Sequence, residues 1–302
     1  MSTSYHVAVI GLGAMGMGAA RSCLRAGLTT YGIDLSEQAR SQLQQAGAAA
    51  VMPDARPLAE TLDAVLLLVV NATQVRRILL GEEGLARHLK PGTAIMVSST
   101  IAAEEASTLA AELAQLGLPM LDAPVSGGAI KADAGEMTVM AAGSDAAFDK
   151  LAPVLDAVAG KLYRVGSEPG QGSTVKIIHQ LLAGVHIAVA AEAMALASRA
   201  GVSLDLMYDV VTHAAGNSWM FENRMPRVLT GDYQARSAVD IFVKDLTLVA
   251  DTAKALRFPL PLASTALNMF LGASNAGHGQ EDDSAVIKIF SGIQLPGQED
   301  QA

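Results

Sequence analysis

The feature that most constrains the fold is the segment VAVIGLGAMG at residues 7–16, where an apolar run breaks into closely spaced glycines. The apolar run predicts a buried strand, and the segment MGAARSCLRAG that follows predicts a helix. Strand, glycine turn and helix are the setting in which G-x-G-x-x-G binds a dinucleotide, because the helix N-terminus offers unpaired N–H groups to the pyrophosphate. Gly11 permits the tight turn, Gly13 lets the pyrophosphate approach the backbone, and Gly16 lets helix and strand pack closely. We therefore expect the cofactor to lie on Gly11, Leu12, Gly13, Ala14, Met15 and Gly16.

Asp34 follows a second apolar run, residues 28–33. A carboxylate at the end of this strand hydrogen-bonds the adenosine ribose hydroxyls and repels the 2′-phosphate of NADP. The next residues are Leu35 and Ser36, so no arginine stands beside Asp34 in the sequence to receive that phosphate. The sequence therefore predicts NAD as the cofactor.

Strand and helix patterns alternate through the first half of the chain and give way to helix patterns alone in the second half. The change falls at the segment GSEPGQGS, residues 166–173, whose glycine, proline and serine content predicts a hinge or linker. We predict an α/β fold in which an N-terminal Rossmann-type doubly wound sheet, residues 1–166, binds NAD. An all-α C-terminal domain, residues 167–302, follows and contains a long inter-domain helix at 174–200. We expect this domain to serve substrate binding and oligomerisation.

Ligands of doubly wound sheets lie beyond the carboxyl ends of the strands. Val70 and Asn71 stand at the end of one predicted strand, residues 64–70, and Ser99 and Thr100 follow the next. We expect Val70, Asn71 and Thr100 to contribute to the cofactor site.

Three further segments carry side chains or backbone groups suited to a hydroxyacid substrate. Ser126, Gly127 and Gly128 end a predicted strand and offer a hydroxyl and backbone N–H groups to a carboxylate, although an ordinary turn explains them as well. Lys176 stands near the start of the long helix, where it can act as a base if burial and nearby cations lower its pKa. Lys244 supplies a possible second cation, with a solvated Lys-Asp pair as the plain alternative.

His179 and Gln180 follow Lys176 at helical spacing, so the three side chains share one helix face. The alternative is a snorkelling lysine beside a hydrogen-bonded core histidine. For Asn217 and Ser218 we expect helix capping first and substrate contact second, and for Trp219 we expect packing.

Composition excludes several classes of partner. The formal net charge of −9 argues against nucleic acid and anionic membranes. Charged and histidine side chains interrupt the long helix pattern, which disfavours a membrane span. The apolar surface of this helix exceeds what a small helical domain can cover, which predicts a homodimer or homotetramer. Cys23 is the only cysteine and is expected to be a core residue of a cytoplasmic protein, and no metal-ligand spacing is present.

Five motifs occur in order along nearly the whole chain: VAVIGLGAMG, SSTI, DAPVSGG, GQGSTVK and KDL. In this combination the chain resembles the β-hydroxyacid dehydrogenase family, which includes 3-hydroxyisobutyrate dehydrogenase and tartronate semialdehyde reductase. The resemblance implies that Ser126, Gly127 and Gly128 hold the substrate carboxylate, that Lys176 is catalytic, and that Thr100 and Lys244 lie near the cofactor.

One position departs from the family pattern. The family has Asn four residues after the catalytic lysine, whereas this chain has Gln180, preceded by His179. The stretch around these residues is similar to the branch of the family that oxidises a four-carbon sugar acid at C2, for which His179, Gln180 and Asn217 are the expected substrate contacts. Hydroxyisobutyrate or tartronate semialdehyde chemistry remains an alternative, and so does a protein that senses NAD(H) without catalysis.

Overall fold

The computed structural model describes residues 4–296, and the chain divides between Lys176 and Ile177 into two compact units. The strands of the first unit are β1 (His6–Ile10), β2 (Thr29–Ile33), β3 (Ala50–Met52), β4 (Ala64–Leu67), β5 (Ala94–Val97), β6 (Met120–Asp122), β7 (Val125–Ser126), β8 (Met137–Ala142) and β9 (Ala159–Gly166). Its helices are α1 (Ala14–Arg25), α2 (Glu37–Gln45), α3 (Ala72–Leu80), α4 (Ala103–Gln115), α5 (Gly128–Ala134) and α6 (Asp145–Val158).

The sheet runs in the order β3-β2-β1-β4-β5-β6-β8-β7, with β9 paired to β8. The first six strands in this order are parallel to one another, and β8 is antiparallel to β6 and β7. The order reverses between β1 and β4, which is the point of a doubly wound sheet where ligands bind. The predicted Rossmann-type sheet is therefore confirmed, and its switch point lies directly before the glycine segment.

Both faces of the sheet are covered by apolar side chains, which explains the unbroken runs of Val, Leu and Ile. Val9 and Leu66 belong to the core on one face, and Ile10 and Leu67 belong to the core on the other. Cys23 is fully buried in the first of these cores, and burial raises the pKa of its thiol to about 12. The prediction that Cys23 is a core residue is confirmed.

Several boundaries differ from the prediction. β4 ends at Leu67, three residues before the predicted end at Val70, because the chain leaves the ladder there and turns toward α3. The predicted linker 166–173 is shorter, since Gly166 still belongs to β9 and the next helix already begins at Gln171.

The second unit consists of helices. The long helix α7 (Gln171–Arg199) contains the division point and is followed by α8 (Leu204–Thr212), α9 (Trp219–Thr230), α10 (Val239–Leu256) and α11 (Pro261–Ala273). Its core includes Met194, Met225 and the stacked rings of Phe242 and Phe270, whose centroids are 5.2 Å apart. A 3-10 segment, Asp283–Ile289, is fixed to α9 by a buried bidentate ion pair between Arg224 and Asp283, with oxygen–nitrogen distances of 2.6 and 2.9 Å.

α7 is apolar on nearly every side, but the other elements of this chain bury only part of its surface. Within residues 4–296 it is the one helix long and apolar enough to cross a membrane by length and composition, and half of that stretch is buried. Four large side chains on it remain more than half exposed: Ile178 (59%), Leu182 (53%), Val189 (54%) and Leu196 (68%).

Candidate active site

The glycine segment has the geometry that a dinucleotide needs. A Cβ on Gly16 would lie 1.7 Å from the Gly11 carbonyl oxygen, so only glycine allows α1 to pack this close to the end of β1. A Cβ on Gly13 would meet no atom within 4 Å, so this position faces open space. Gly13 is the N-cap residue of α1 and provides no side-chain cap, which leaves the first N–H groups of the helix for an anion. A cleft of about 320 Å³ borders Leu12, Gly13 and Ala14. These features fit NAD.

Asp34 lies at the end of β2, next to the glycine segment. Its carboxylate accepts hydrogen bonds from the backbone N–H groups of Leu12 and Ser36, each at 2.7 Å. Arg40, on the second turn of α2, donates to the carbonyl oxygens of Asp34 and Leu35 at 2.6 and 2.9 Å. Arg40 was not predicted from the sequence, because it is six positions from Asp34 and only the start of α2 brings it back to that residue.

The segments that follow β4 and β5 lie at the same edge of the sheet as the glycine segment, because β4 and β5 are parallel to β1. Asn71 caps α3 by accepting the Gln74 N–H at 2.9 Å, and Val70 is half-exposed before it. After β5, the Ser98 hydroxyl donates to the Ala123 carbonyl at 2.8 Å, and Thr100 is half-buried two residues later. The Ser99 hydroxyl is buried with no hydrogen-bond partner among the described residues, which is compatible with a ligand at this edge.

Ser126, Gly127 and Gly128 form the turn between β7 and α5. Gly127 and Gly128 have φ values of 134° and 70°, a region that side-chain-bearing residues rarely adopt. A Cβ on Gly127 would also lie 2.8 Å from the Cβ of Lys131. The backbone N–H groups of consecutive residues in such a conformation can converge on an anion, which fits the carboxylate site predicted for this segment.

Lys176 lies on the first turns of α7 and is buried. The start of α7 is held by Asp122, the last residue of β6, which is fully buried. Asp122 accepts hydrogen bonds from the N–H groups of Gly170 and Ser173 at 2.8 and 2.7 Å and from the Ser173 hydroxyl at 2.7 Å. The same segment, residues 122–128, thus fixes the start of the lysine helix and continues into the Ser-Gly-Gly turn.

In the second unit, contacts with Asp245 connect three of the predicted site residues, although Asp245 itself was not predicted. Gln180 donates from Nε2 to Asp245 Oδ2 at 2.5 Å, and its Oε1 lies 3.0 Å from His179 Nδ1. Lys244 Nζ lies 2.7 Å from the other oxygen of Asp245, which is 2% exposed. The alternative of a solvated Lys-Asp pair is therefore wrong for the carboxylate, which is buried against α7.

The segment before α9 confirms the predicted capping role of Ser218 and differs from the prediction at Asn217 and Trp219. Ser218, not Asn217, is the N-cap of α9, since its hydroxyl accepts the Phe221 N–H at 3.1 Å. Asn217 instead donates to Glu222 at 2.6 Å, and its Oδ1 is buried with no partner among the described residues. Two packing roles were expected for Trp219, in the core or at a contact between domains, and its exposed fraction of 50% shows that the core role is wrong.

Known proteins similar to this chain agree with the geometry. Residues 6–166 match the family described as the NAD binding domain of 6-phosphogluconate dehydrogenase, and residues 170–290 match the NAD-binding family of NADP-dependent 3-hydroxyisobutyrate dehydrogenase. An L-threonate dehydrogenase from Escherichia coli O6:H1 is 72% identical over 295 residues, 98% of each chain. One from Cupriavidus necator is 55% identical over 97% of this chain and 99% of its own length.

A solved structure extends the likeness to three dimensions. The crystal structure of 3-hydroxyisobutyrate dehydrogenase from Salmonella typhimurium superposes with a TM-score of 0.92 at 69% identity, covering 95% of this chain and all of its own. A metal site is not indicated, since residues 4–296 hold no cluster of three or more His, Cys, Asp or Glu side chains suited to one.

Proposed function

The chain belongs to the β-hydroxyacid dehydrogenase family that includes 3-hydroxyisobutyrate dehydrogenase, an NAD-dependent family, and from this premise we propose that it oxidises L-threonate at C2 to 2-dehydro-L-erythronate. The relatives named L-threonate dehydrogenase cover the whole length of the chain, from 55% to 72% identity. The observation that carries the proposal is the polar cluster of His179, Gln180 and Asp245, which suits a substrate with several hydroxyl groups better than one with a methyl group.

The geometry of the first unit supports a role for each of its predicted site residues. We infer that the substrate carboxylate binds to Ser126, Gly127 and Gly128, and that Lys176 faces the C2 hydroxyl. When bound, NAD supplies the nicotinamide ring that accepts the hydride from C2. Lys176, whose side chain is buried near the start of α7, takes the hydroxyl proton as a general base.

We assign the cofactor to residues 1–166, with the pyrophosphate on Gly11, Leu12, Gly13, Ala14, Met15 and Gly16 and the adenosine ribose on Asp34. Val70, Asn71, Thr100 and Lys244 complete the cofactor contacts in this proposal. Residues 167–302 carry the further substrate contacts, His179, Gln180 and Asn217, and the subunit interface. The unpartnered Oδ1 of Asn217 supports its assignment, because a substrate hydroxyl would satisfy it.

We also propose that the protein is a homodimer or homotetramer assembled through α7. The exposed side chains of Ile178, Leu182, Val189 and Leu196 recur at spacings of four and seven residues, so they line one face of the helix. A second copy of the chain would cover this face. We further infer a cytoplasmic enzyme of sugar acid catabolism that binds neither membrane nor nucleic acid, in agreement with its single buried cysteine and its net charge of −9.

The proposed reaction is tested by following NADH absorbance with purified protein and a panel of acids. We expect kcat/KM for L-threonate to exceed that for 3-hydroxyisobutyrate by at least about tenfold, the discrimination that unmatched hydroxyl partners provide. A preference for 3-hydroxyisobutyrate, or for tartronate semialdehyde in the reverse direction, would contradict the substrate assignment. Binding of NAD without turnover of any acid would favour an NAD(H)-sensing protein.

A further inference from the structure

A chain of hydrogen bonds in the second unit fixes the direction in which each donor points. Asp245 is buried and presents one carboxylate oxygen to Gln180 Nε2 at 2.5 Å. The ammonium of Lys244 faces the other oxygen at 2.7 Å. Gln180 then presents its Oε1 to His179 Nδ1 at 3.0 Å. Three side chains from two helices therefore form one directed series, Asp245–Gln180–His179.

The carboxylate decides the orientation of every group after it. An ionised carboxylate only accepts hydrogen bonds, so the amide of Gln180 must turn its NH₂ group toward Asp245. The amide oxygen is then the group that faces His179, and it cannot donate. The hydrogen between them must belong to His179 Nδ1. A neutral imidazole with its hydrogen on Nδ1 carries a lone pair on Nε2 and accepts a hydrogen bond there.

We propose that His179 determines substrate specificity by accepting, at Nε2, a hydrogen bond from a substrate hydroxyl beyond C2, and that Asp245 and Gln180 are positioning residues that hold His179 in this tautomer. The inference rests on the proposed function, because L-threonate carries such hydroxyls at C3 and C4. Gln180, which stands where the family pattern has Asn, serves here as the link between a buried carboxylate and the histidine.

The chemistry of the cluster explains why an acceptor is needed. Lysine ammonium groups donate and cannot accept, so Lys176 and Lys244 in their charged forms offer nothing to a hydroxyl hydrogen. A histidine held with Nε2 as acceptor supplies the missing partner. A substrate with a methyl group in the same place offers no hydrogen to this acceptor, and sites built to hydrogen-bond a hydroxyl reject such analogues strongly.

The tautomer can be measured without any substrate. Nitrogen-15 NMR of the full-length protein, labelled at histidine, distinguishes Nδ1–H from Nε2–H rings, and the signal lost in a His179→Gln variant identifies residue 179. We expect the Nδ1–H form in the wild type. Asp245→Asn allows the series to reverse, so the Nε2–H form should grow, whereas Gln180→Met leaves the Lys244–Asp245 pair in place and should give a mixture. An Nε2–H or doubly protonated His179 in the wild type at assay pH would overturn the proposal.

Kinetics test the specificity role. L-Threonate is compared with its 3-deoxy and 4-deoxy analogues in the wild type, His179→Leu and His179→Gln, whose amide oxygen replaces the acceptor. We expect His179→Leu to lower kcat/KM for L-threonate by about 10- to 100-fold, mainly through KM, and to leave the analogue lacking the recognised hydroxyl unchanged. His179→Gln should restore most of the loss.

His186 provides the matched control, since it lies half-buried on the same helix and His186→Leu should have no such selective effect. An equal loss for all three acids in His179→Leu would overturn the specificity role. Failure of the wild type to oxidise L-threonate would instead contradict the proposed function alone, because the tautomer measurement does not depend on substrate.

Discussion

Asp122 Oδ1 accepts a hydrogen bond from the Ser173 hydroxyl at 2.7 Å, and Asp122 Oδ2 accepts the Ser173 N–H at 2.7 Å. The carboxylate thereby takes the place of an N-cap for α7, although it comes from a strand far away in the sequence. Because Lys176 lies one turn beyond Ser173, the same contact sets the position of the lysine relative to β6.

Asp122→Ala should be strongly destabilising. It leaves two buried N–H groups without an acceptor, and we expect a loss of about 2–4 kcal/mol in the free energy of unfolding, measured by urea denaturation. In Asp122→Asn the amide oxygen can still accept both N–H groups while the NH₂ group donates to Ser173, so its loss should stay near 1 kcal/mol, roughly one ordinary hydrogen bond. Equal damage by both substitutions would show that charge, not hydrogen-bond capacity, holds the helix.

The pKa of Asp122 gives a pH dependence of known sign. Burial raises the pKa of this carboxyl above its ordinary value, against the opposing effect of the hydrogen bonds from Ser173 and Gly170. The folded state therefore binds the proton more tightly than the unfolded state, and stability falls as pH rises from about 3.9, the unfolded pKa, through the raised folded pKa. Asp122→Asn lacks this proton. As pH rises across that interval, we expect the free energy of unfolding of the wild type to fall relative to that of Asp122→Asn, and the difference to be constant at higher pH. A rise of the wild-type value relative to Asp122→Asn would contradict the raised pKa.

Lys176→Arg and Lys176→Ala should both lose about 10²–10⁴-fold in kcat, as expected when a general acid–base group is removed. Arginine keeps the positive charge but does not titrate usefully, so it should not rescue the reaction. The dissociation constant of NAD, measured by fluorescence titration, should hardly change. If Lys176→Arg kept more than about a tenth of the activity, its role would be electrostatic and not that of a base.

Cofactor choice depends on the balance between Asp34 and Arg40. We expect the wild type to prefer NAD over NADP by at least about tenfold, which corresponds to about 1.4 kcal/mol. Asp34→Ser should relax this preference, because it removes the repelling carboxylate while Arg40, bonded to the Asp34 and Leu35 carbonyls, remains close to receive a phosphate. The double variant Asp34→Ser with Arg40→Gln is the matched control and should gain little with NADP. Equal kcat/KM for both cofactors in the wild type would contradict the prediction.

The apolar face of α7 predicts an association that charge should disrupt. Leu182→Glu and Leu196→Glu place a carboxylate on that face, which costs several kcal/mol if a partner buries it without a counter-charge. Light scattering at micromolar concentration should give a dimer or tetramer for the wild type and a smaller mass for the variants. Leu35→Glu, at an exposed leucine of the first unit, should leave the mass unchanged. A monomeric wild type would contradict the proposed assembly.

The elements with a strong pattern were predictable from the sequence, and the weak ones were not. A helical pattern of apolar residues predicts a helix over residues 239–256, and α10 has these bounds, Val239–Leu256, because the pattern repeats over eighteen residues. β3 was not predicted because its three residues are too few to form a pattern, and it exists only through pairing with β2. α5 was missed because Gly127 and Gly128 at its start are typical of a turn.

In the candidate site, too, residues with local sequence signals were predictable and residues defined by long-range contacts were not. The glycine segment and Asp34 were predictable because their signals are local in the sequence. Asp245 was not, since beside Lys244 it has the pattern of a solvated ion pair. Its partner Gln180 is 65 positions away, and only the packing of α10 against α7 reveals that the carboxylate is buried. Local sequence patterns identify residue types that can do chemistry, whereas burial and long-range partners come from the folded chain.

The continuity of α7 restricts how this chain can change in length during evolution. Each residue of an α-helix advances the axis by about 1.5 Å and turns it by about 100°. Insertion or deletion of one residue between Gln180 and Met194 would rotate these two side chains by about 100° relative to each other. Gln180 could then not contact Asp245 while Met194 stays in the core of the second unit, and Leu182 and Leu196 would no longer share one face. Substitutions along this helix can be tolerated singly, but the number of residues from Gln180 to Leu196 cannot change. We therefore expect length variation among descendants of this sequence to occur in the loops on either side of α7 and not within it.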